Sequence, residues 1–171
     1  MSNSRNGRIL AMVIRSQRLG FAVIEGSVQL VDWGLIHYEG NDRASVAAAA
    51  RRVDKLFALF APSMVAIGKA GEGQAINPSG IQSIYRFCRG EAACHSIPVF
   101  VLDRNRVRAG FRDFGVRSKD EIAALLARMF PELQSKLPPK RRLWQKEHAS
   151  MPMFDAVALA VTCWRRDFLK E

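Results

Sequence analysis

The chain has 171 residues, 49% of them hydrophobic, which suits one domain with a sizeable core and is too apolar for a disordered, collagenous or repeat-built chain. Its 26 Lys and Arg against 16 Asp and Glu give a net charge of +10, an excess that favours anionic partners, nucleic acid above all, over a solubility charge spread evenly on the surface. Cys88, Cys94 and Cys163 are odd in number and lack C-x-x-C spacing, so they suggest neither a zinc site nor a disulfide framework. The polar start MSNSRNGR and an apolar run that stops at Arg15 argue against a secretory leader or a membrane span. Residues 1–7 are expected to form a flexible tail on a single domain of residues 1–171, in a cytoplasmic protein with reduced thiols.

In chain order, Ile9–Ile14, Leu19–Ile24 and Leu30–Ile36 are short apolar segments separated by Arg15-Ser16-Gln17-Arg18 and Glu25-Gly26-Ser27, the pattern of three antiparallel strands joined by tight turns. The first strand ends on Val13-Ile14-Arg15, with no carboxylate. From Ser45 to Phe60 the period changes: Val46, Ala49, Ala50, Val53, Leu56, Phe57 and Phe60 make one face of a helix, which Pro62 stops. Met64–Ile67 then reads as a buried strand parallel to an earlier one.

Gly68-Lys69-Ala70-Gly71-Glu72-Gly73 has neither the G-x-x-x-x-G-K-[ST] nor the G-x-G-x-x-G order, so it is read as a turn and not as a nucleotide cradle. Asn77-Pro78-Ser79 opens a second helix with an apolar stripe of Ile81, Ile84, Tyr85, Cys88 and Ala92, and Ile97–Leu102 is the next strand. Ser118-Lys119-Asp120-Glu121 is a capping box that starts a helix burying Ile122, Leu125, Leu126, Met129 and Leu133. After the basic, proline-bearing loop Pro138-Pro139-Lys140-Arg141-Arg142, a last helix begins near Ser150–Pro152 and carries Val157, Ala160, Val161, Trp164 and Phe168.

The order β, β, β, α, β, α, β, α, α is the layout of the ribonuclease H-like fold: an α/β domain with a mixed five-stranded sheet, three antiparallel strands then two parallel, flanked by helices. Within it ILAMVIRSQRLGFAVI, WGLI, FAPSMVAIG, SIPVFVLDRNRVRAGF, FGVRSKDEIAALL and FDAVALAV resemble, in the same order, the successive motifs of RuvC-type Holliday-junction resolvases. The resemblance runs from Ile9 to about Trp164. It implies a cluster of carboxylates holding divalent ions, because Mg²⁺ prefers oxygen ligands and two ions can clamp the attacking and leaving oxygens of a phosphodiester.

Carried over position by position, those acids fall on Val13, Gly68, Pro152 and Asp155, and only Asp155 keeps a carboxylate. The expectation is therefore a catalytically inactive resolvase homologue that binds DNA, branched DNA included, with no cofactor. An active nuclease would need Mg²⁺ or Mn²⁺ on relocated ligands, Asp155 with Glu72 or Glu147; Glu25, Asp103 and His148 are further substitutes to weigh. A third alternative is a protein-interaction or assembly subunit whose basic face meets an acidic partner.

DNA contacts are expected from Arg104, Arg106, Arg108, Arg112, Arg117 and Lys119, the first three sharing one face at alternate positions if the preceding strand continues. The loop KLPPKRRLWQK adds Lys140, Arg141, Arg142, Trp144 and Lys146, with Trp144 either stacking on a base or anchoring the loop to the core. His37, His95 and His148 show no ligand spacing. A homodimer is implied by the resemblance alone, since paired subunits suit a two-fold symmetric junction.

Overall fold

The structure, a computed structural model, describes residues 7–26, 29–69, 79–140, 142 and 144–168. The expected tail, apart from Gly7, lies outside them, as do Glu72 and Arg141. β1 (Arg8–Ile14) pairs antiparallel with β2 (Arg18–Glu25), in register from Arg8 opposite Glu25 to Ile14 opposite Leu19, and β2 pairs antiparallel with β3 (Gln29–His37). β4 (Met64–Gly68) lies parallel to β1, and β5 (Val99–Leu102) parallel to β4. The sheet order is β3-β2-β1-β4-β5, the mixed five-stranded arrangement expected.

β1 is central and buried on both faces, which is why its sequence is a continuous apolar run without polar alternation. The pleat sends Ile9, Ala11 and Val13 to one core and Leu10, Met12 and Ile14 to the other. The second core is closed by α1 (Arg43–Phe60) and α2 (Ser79–Cys94), the first by α4 (Lys119–Met129) and α5 (Met151–Phe168). Among the described residues no helix is long and apolar enough to cross a membrane.

Local chemistry sets the helix ends. Asp42 caps α1, its side chain accepting from the Ala44 N–H at 2.9 Å, and the chain leaves that helix through Ala61 in the left-handed region before Pro62. The capping box of α4 is present, the Glu121 N–H donating to Ser118 Oγ at 3.2 Å while the Glu121 carboxylate accepts from the Ser118 N–H at 3.4 Å. Leu133 is fully buried, but on a 3-10 turn, Pro131–Lys136, because α4 ends at Met129 before a proline that has no N–H to continue it.

One expectation fails. β5 ends at Leu102, and α3 (Arg104–Gly110) follows at once, so Arg104, Arg106 and Arg108 do not alternate along a strand. The cause is Asp103, which caps α3 by accepting the Arg106 N–H at 2.8 Å. On a helix Arg104 and Arg108 share a face four residues apart, and Arg106 leaves it.

The start of α5 lies directly on β2. A β carbon placed on Gly20 would stand 2.1 Å from the Pro152 carbonyl oxygen, whereas one on Gly68 would meet only the Leu159 and Val13 side chains at 3.6 Å. Gly20→Ala should therefore cost about 3 kcal/mol, because backbone must shift to make room. Gly68→Ala should change stability by under about 1 kcal/mol, since its new contacts are ordinary van der Waals ones. Urea denaturation of both variants measures the contrast, and equal losses would refute it.

Candidate functional site

Val13 and Gly68 stand near the carboxyl ends of the adjacent parallel strands β1 and β4, and Asp155 faces them from the second turn of α5. Between them opens a narrow cleft of about 60 Å³. Its floor is apolar, built from Val13, Leu102, Phe154 and Leu159, and its walls carry Arg15, Lys69, Arg104, Arg108 and Lys119. Pro152 is buried one turn before Asp155, with its carbonyl against Gly20.

Four charged side chains from four parts of the chain meet at this edge. Arg15 Nη2 and Lys119 Nζ each donate to Asp155 Oδ2 at 3.1 Å, and Lys119 Nζ also donates to Glu147 Oε1 at 2.6 Å. Arg15 Nε lies 4.0 Å from Glu147 Oε2. The side chains are only 19% to 26% exposed, so the attractions are less screened than at an open surface.

Each cation is held by its own local structure. The Arg15 N–H donates to the Arg18 carbonyl at 2.8 Å, closing the β1–β2 turn, and the Arg15 carbonyl accepts from the Tyr38 hydroxyl. Lys119 is the first helical residue of α4, placed there by the capping box. Asp155 gains nothing from the first turn of α5, where no acid sits; its partners are these two cations, not the helix N-terminus. Burial pushes the Glu147 carboxyl up, but the Lys119 hydrogen bond and the charges of Lys119, Arg15 and Arg104 outweigh it and hold the group below its ordinary range.

These residues do not fit a two-ion centre. Valine, glycine and proline side chains offer no oxygen, and the Asp155 oxygen that a metal would use already accepts from Arg15 and Lys119. Among the described residues no three His, Cys, Asp or Glu side chains gather where an ion could be held. Of the substitute acids, Glu25 pairs with Arg8 at 3.2 Å at the opposite end of β1, and Asp103 is occupied as the cap of α3. Glu147 does reach Asp155's surroundings, through Lys119, while His148 Nδ1 accepts from the Ser150 N–H at 3.2 Å within its own loop.

Of the basic residues expected at a DNA contact, Arg104, Arg108 and Lys119 line the cleft and also a neighbouring hollow completed by Pro138, Pro139, Arg142 and Glu147. Arg106, Arg112, Arg117, Lys140 and Lys146 are exposed and line neither. The loop before α5 is tied at its base, Ser150 Oγ donating to the Lys136 carbonyl at 3.0 Å. Trp144 does not anchor it: the side chain is 77% exposed, with the Arg142 guanidinium 5.5 Å from its ring centre. Arg15 and Lys69 were not among the residues the sequence singled out; the only signal was that each follows closely on a position where the resemblance places an acid.

No protein-family model matches the chain, and no curated protein sequence matches it either. Solved structures do. The chain superposes on T. thermophilus RuvC in complex with a Holliday junction substrate with a TM-score of 0.72 at 16% identity, covering 95% of this chain and 96% of that one. It superposes on the yeast mitochondrial Holliday junction resolvase with a TM-score of 0.62 at 11% identity, over 96% and 81% of the two chains. For the Fowlpox virus resolvase with Holliday junction DNA the values are 0.58 and 13%, over 92% and 99%. The fold is thus the resolvase fold, as the order of motifs implied.

The lowered Glu147 carboxyl gives a pH signature. A carboxyl whose folded value lies below its unfolded one adds stability that is complete above the ordinary 4.5 and lost as pH falls through the folded value. Thermal melts from about pH 7 down to about pH 3 should show that acid limb, and Glu147→Gln should lower stability near neutrality and flatten the limb. An acid limb identical in the variant would refute the assignment.

Proposed function

We propose that this protein is a nucleic-acid-binding module with a resolvase fold and no nuclease chemistry, and that it binds DNA, four-way junctions included, through the basic residues around the cleft. The observation that carries the reading is the ion-paired Asp155. Phosphodiester hydrolysis needs an activated water and a stabilised leaving oxygen, and a carboxylate held by Arg15 and Lys119 beside Val13, Gly68 and Pro152 supplies neither.

Binding asks less of the same edge. Lys and Arg that neutralise phosphates release counterions, and Arg104, Arg108, Lys119 and Arg142 flank two adjoining hollows at one edge of the sheet. Lys140, Arg141 and Lys146 extend the charge along the loop, and Arg106, Arg112 and Arg117 add to it beyond the hollows. Trp144, exposed and carrying Arg142 on its ring, offers a face on which an unpaired base can stack. The structures it resembles in complex with junction substrates supply the reason to try branched DNA first. A paired arrangement on a two-fold junction and a cytoplasmic location belong to the same reading.

Mobility shifts with a four-way junction and plain duplex, in EDTA and across salt, test it. Binding should be present at low salt and weaken steeply as salt rises, and Trp144→Ala should cost about 1–3 kcal/mol on substrates with unpaired bases. With Mg²⁺ or Mn²⁺ the junction should stay intact. Failure to bind either DNA at low salt, or cleavage that Asp155→Asn abolishes, would overturn the proposal.

A further inference from the structure

Resting on that reading, we infer that Arg15 and Lys119 stand where divalent ions would, so that the cleft takes a backbone phosphate of DNA directly on side-chain cations and without metal. Two carboxylates, Asp155 and Glu147, are balanced by two cations, and the cluster is neutral before any ligand arrives. Among the described residues Lys69, Arg104 and Arg108 then add charge at the cleft, against Asp103. Counted over the described residues that line the cleft, with Glu147, the site carries two positive charges in excess, where four uncompensated acids would repel a phosphate.

Donors remain for the ligand. Lys119 has three ammonium protons and its two carboxylate bonds use two of them; Arg15 has five N–H groups, and one nitrogen, Nη2, serves Asp155. The two acids thus hold both cations in place and leave part of each guanidinium and ammonium for an anion, which saves the ordering of long, flexible side chains at binding. Tyr38 is a positioning residue here, since its hydroxyl fixes the Arg15 carbonyl and so the stem of that side chain. Gly68 ends β4 at the cleft, with Lys69 next to it.

The test is fluorescence anisotropy with a labelled four-way junction and the full chain, in EDTA and in Mg²⁺ at matched ionic strength. Wild-type affinity should not rise in Mg²⁺, which competes with side-chain cations for the phosphates, and Lys69→Ala, an exposed residue outside the ion pairs, should reduce the log–log salt slope by about 0.9. Arg15→Met should weaken binding by about tenfold in EDTA, because Asp155 loses a counter-charge, and Mn²⁺ should restore part of it in the variant alone. Arg51→Ala, on the exposed side of α1, should change nothing.

Wild-type binding that tightens about tenfold or more with Mg²⁺ overturns the inference. So does a salt slope unchanged in both Lys69→Ala and Arg15→Met while the wild type binds, an outcome that leaves DNA binding elsewhere on the surface intact. Absence of wild-type binding under every condition removes the DNA-binding reading itself.

Discussion

Burial of β1 on both faces is the constraint from which the other features follow. A strand that must satisfy two cores has no solvent side, so six successive residues from Ile9 to Ile14 are apolar and their pleat decides which helix layer each one meets. Arg15, the first residue past the strand, emerges beside the end of β4 and under α5 because β1 pairs in parallel with β4 and lies against α5. A one-residue slip in the β1–β2 register would exchange the two core faces and carry Val13 away from Asp155.

Val13 shows how a position to which the resemblance assigns an acid can be absorbed into the fold. At 5% exposure it packs in the core with Ala11 and Ala66. A carboxylate at that depth would be costly without an ion or a cation beside it, whereas a buried valine contributes about 1.5 kcal/mol or more through the area it removes from water. Gly68 and Pro152 fit the same logic, one opening space at the cleft and the other placing its backbone against Gly20.

Asp155 had no such route, since a charge taken largely out of water is costly without a partner. Arg15 and Lys119 provide two, and neither cation is free to wander. One is fixed by a turn whose N–H and C=O are both engaged, the other by a capping box that sets where α4 begins. The result is an electrostatic cluster assembled by elements far apart in sequence, a strand end, a helix start, a loop and a second helix, and held to within hydrogen-bond distance. Glu147 joins it from a loop pinned by Ser150, so the loop carrying Trp144 is tied at its base to the same edge.

The amino-acid sequence by itself determined the five strands, their order and four of the helices, because hydrophobic period, proline stops and the Ser118–Glu121 cap are local signals, but it left out α3. It also determined that Val13, Gly68 and Pro152, where the resemblance places acids, offer no side-chain oxygen, since that depends on residue identity alone. It misplaced Arg106 because the apolar run before Asp103 reads as a strand that continues, whereas Asp103 caps a helix, and it could not tell a Trp144 tucked on the core from one standing in solvent. Tertiary structure alone decided that Arg15 and Lys119 converge on Asp155: they lie 140 and 36 residues from it, and only the pairing of β1 with β4 and the packing of α4 and α5 bring those distances down to 3.1 Å. An ion pair between distant residues leaves no periodicity in the chain, so the cations now on Asp155 became visible only once the chain was folded.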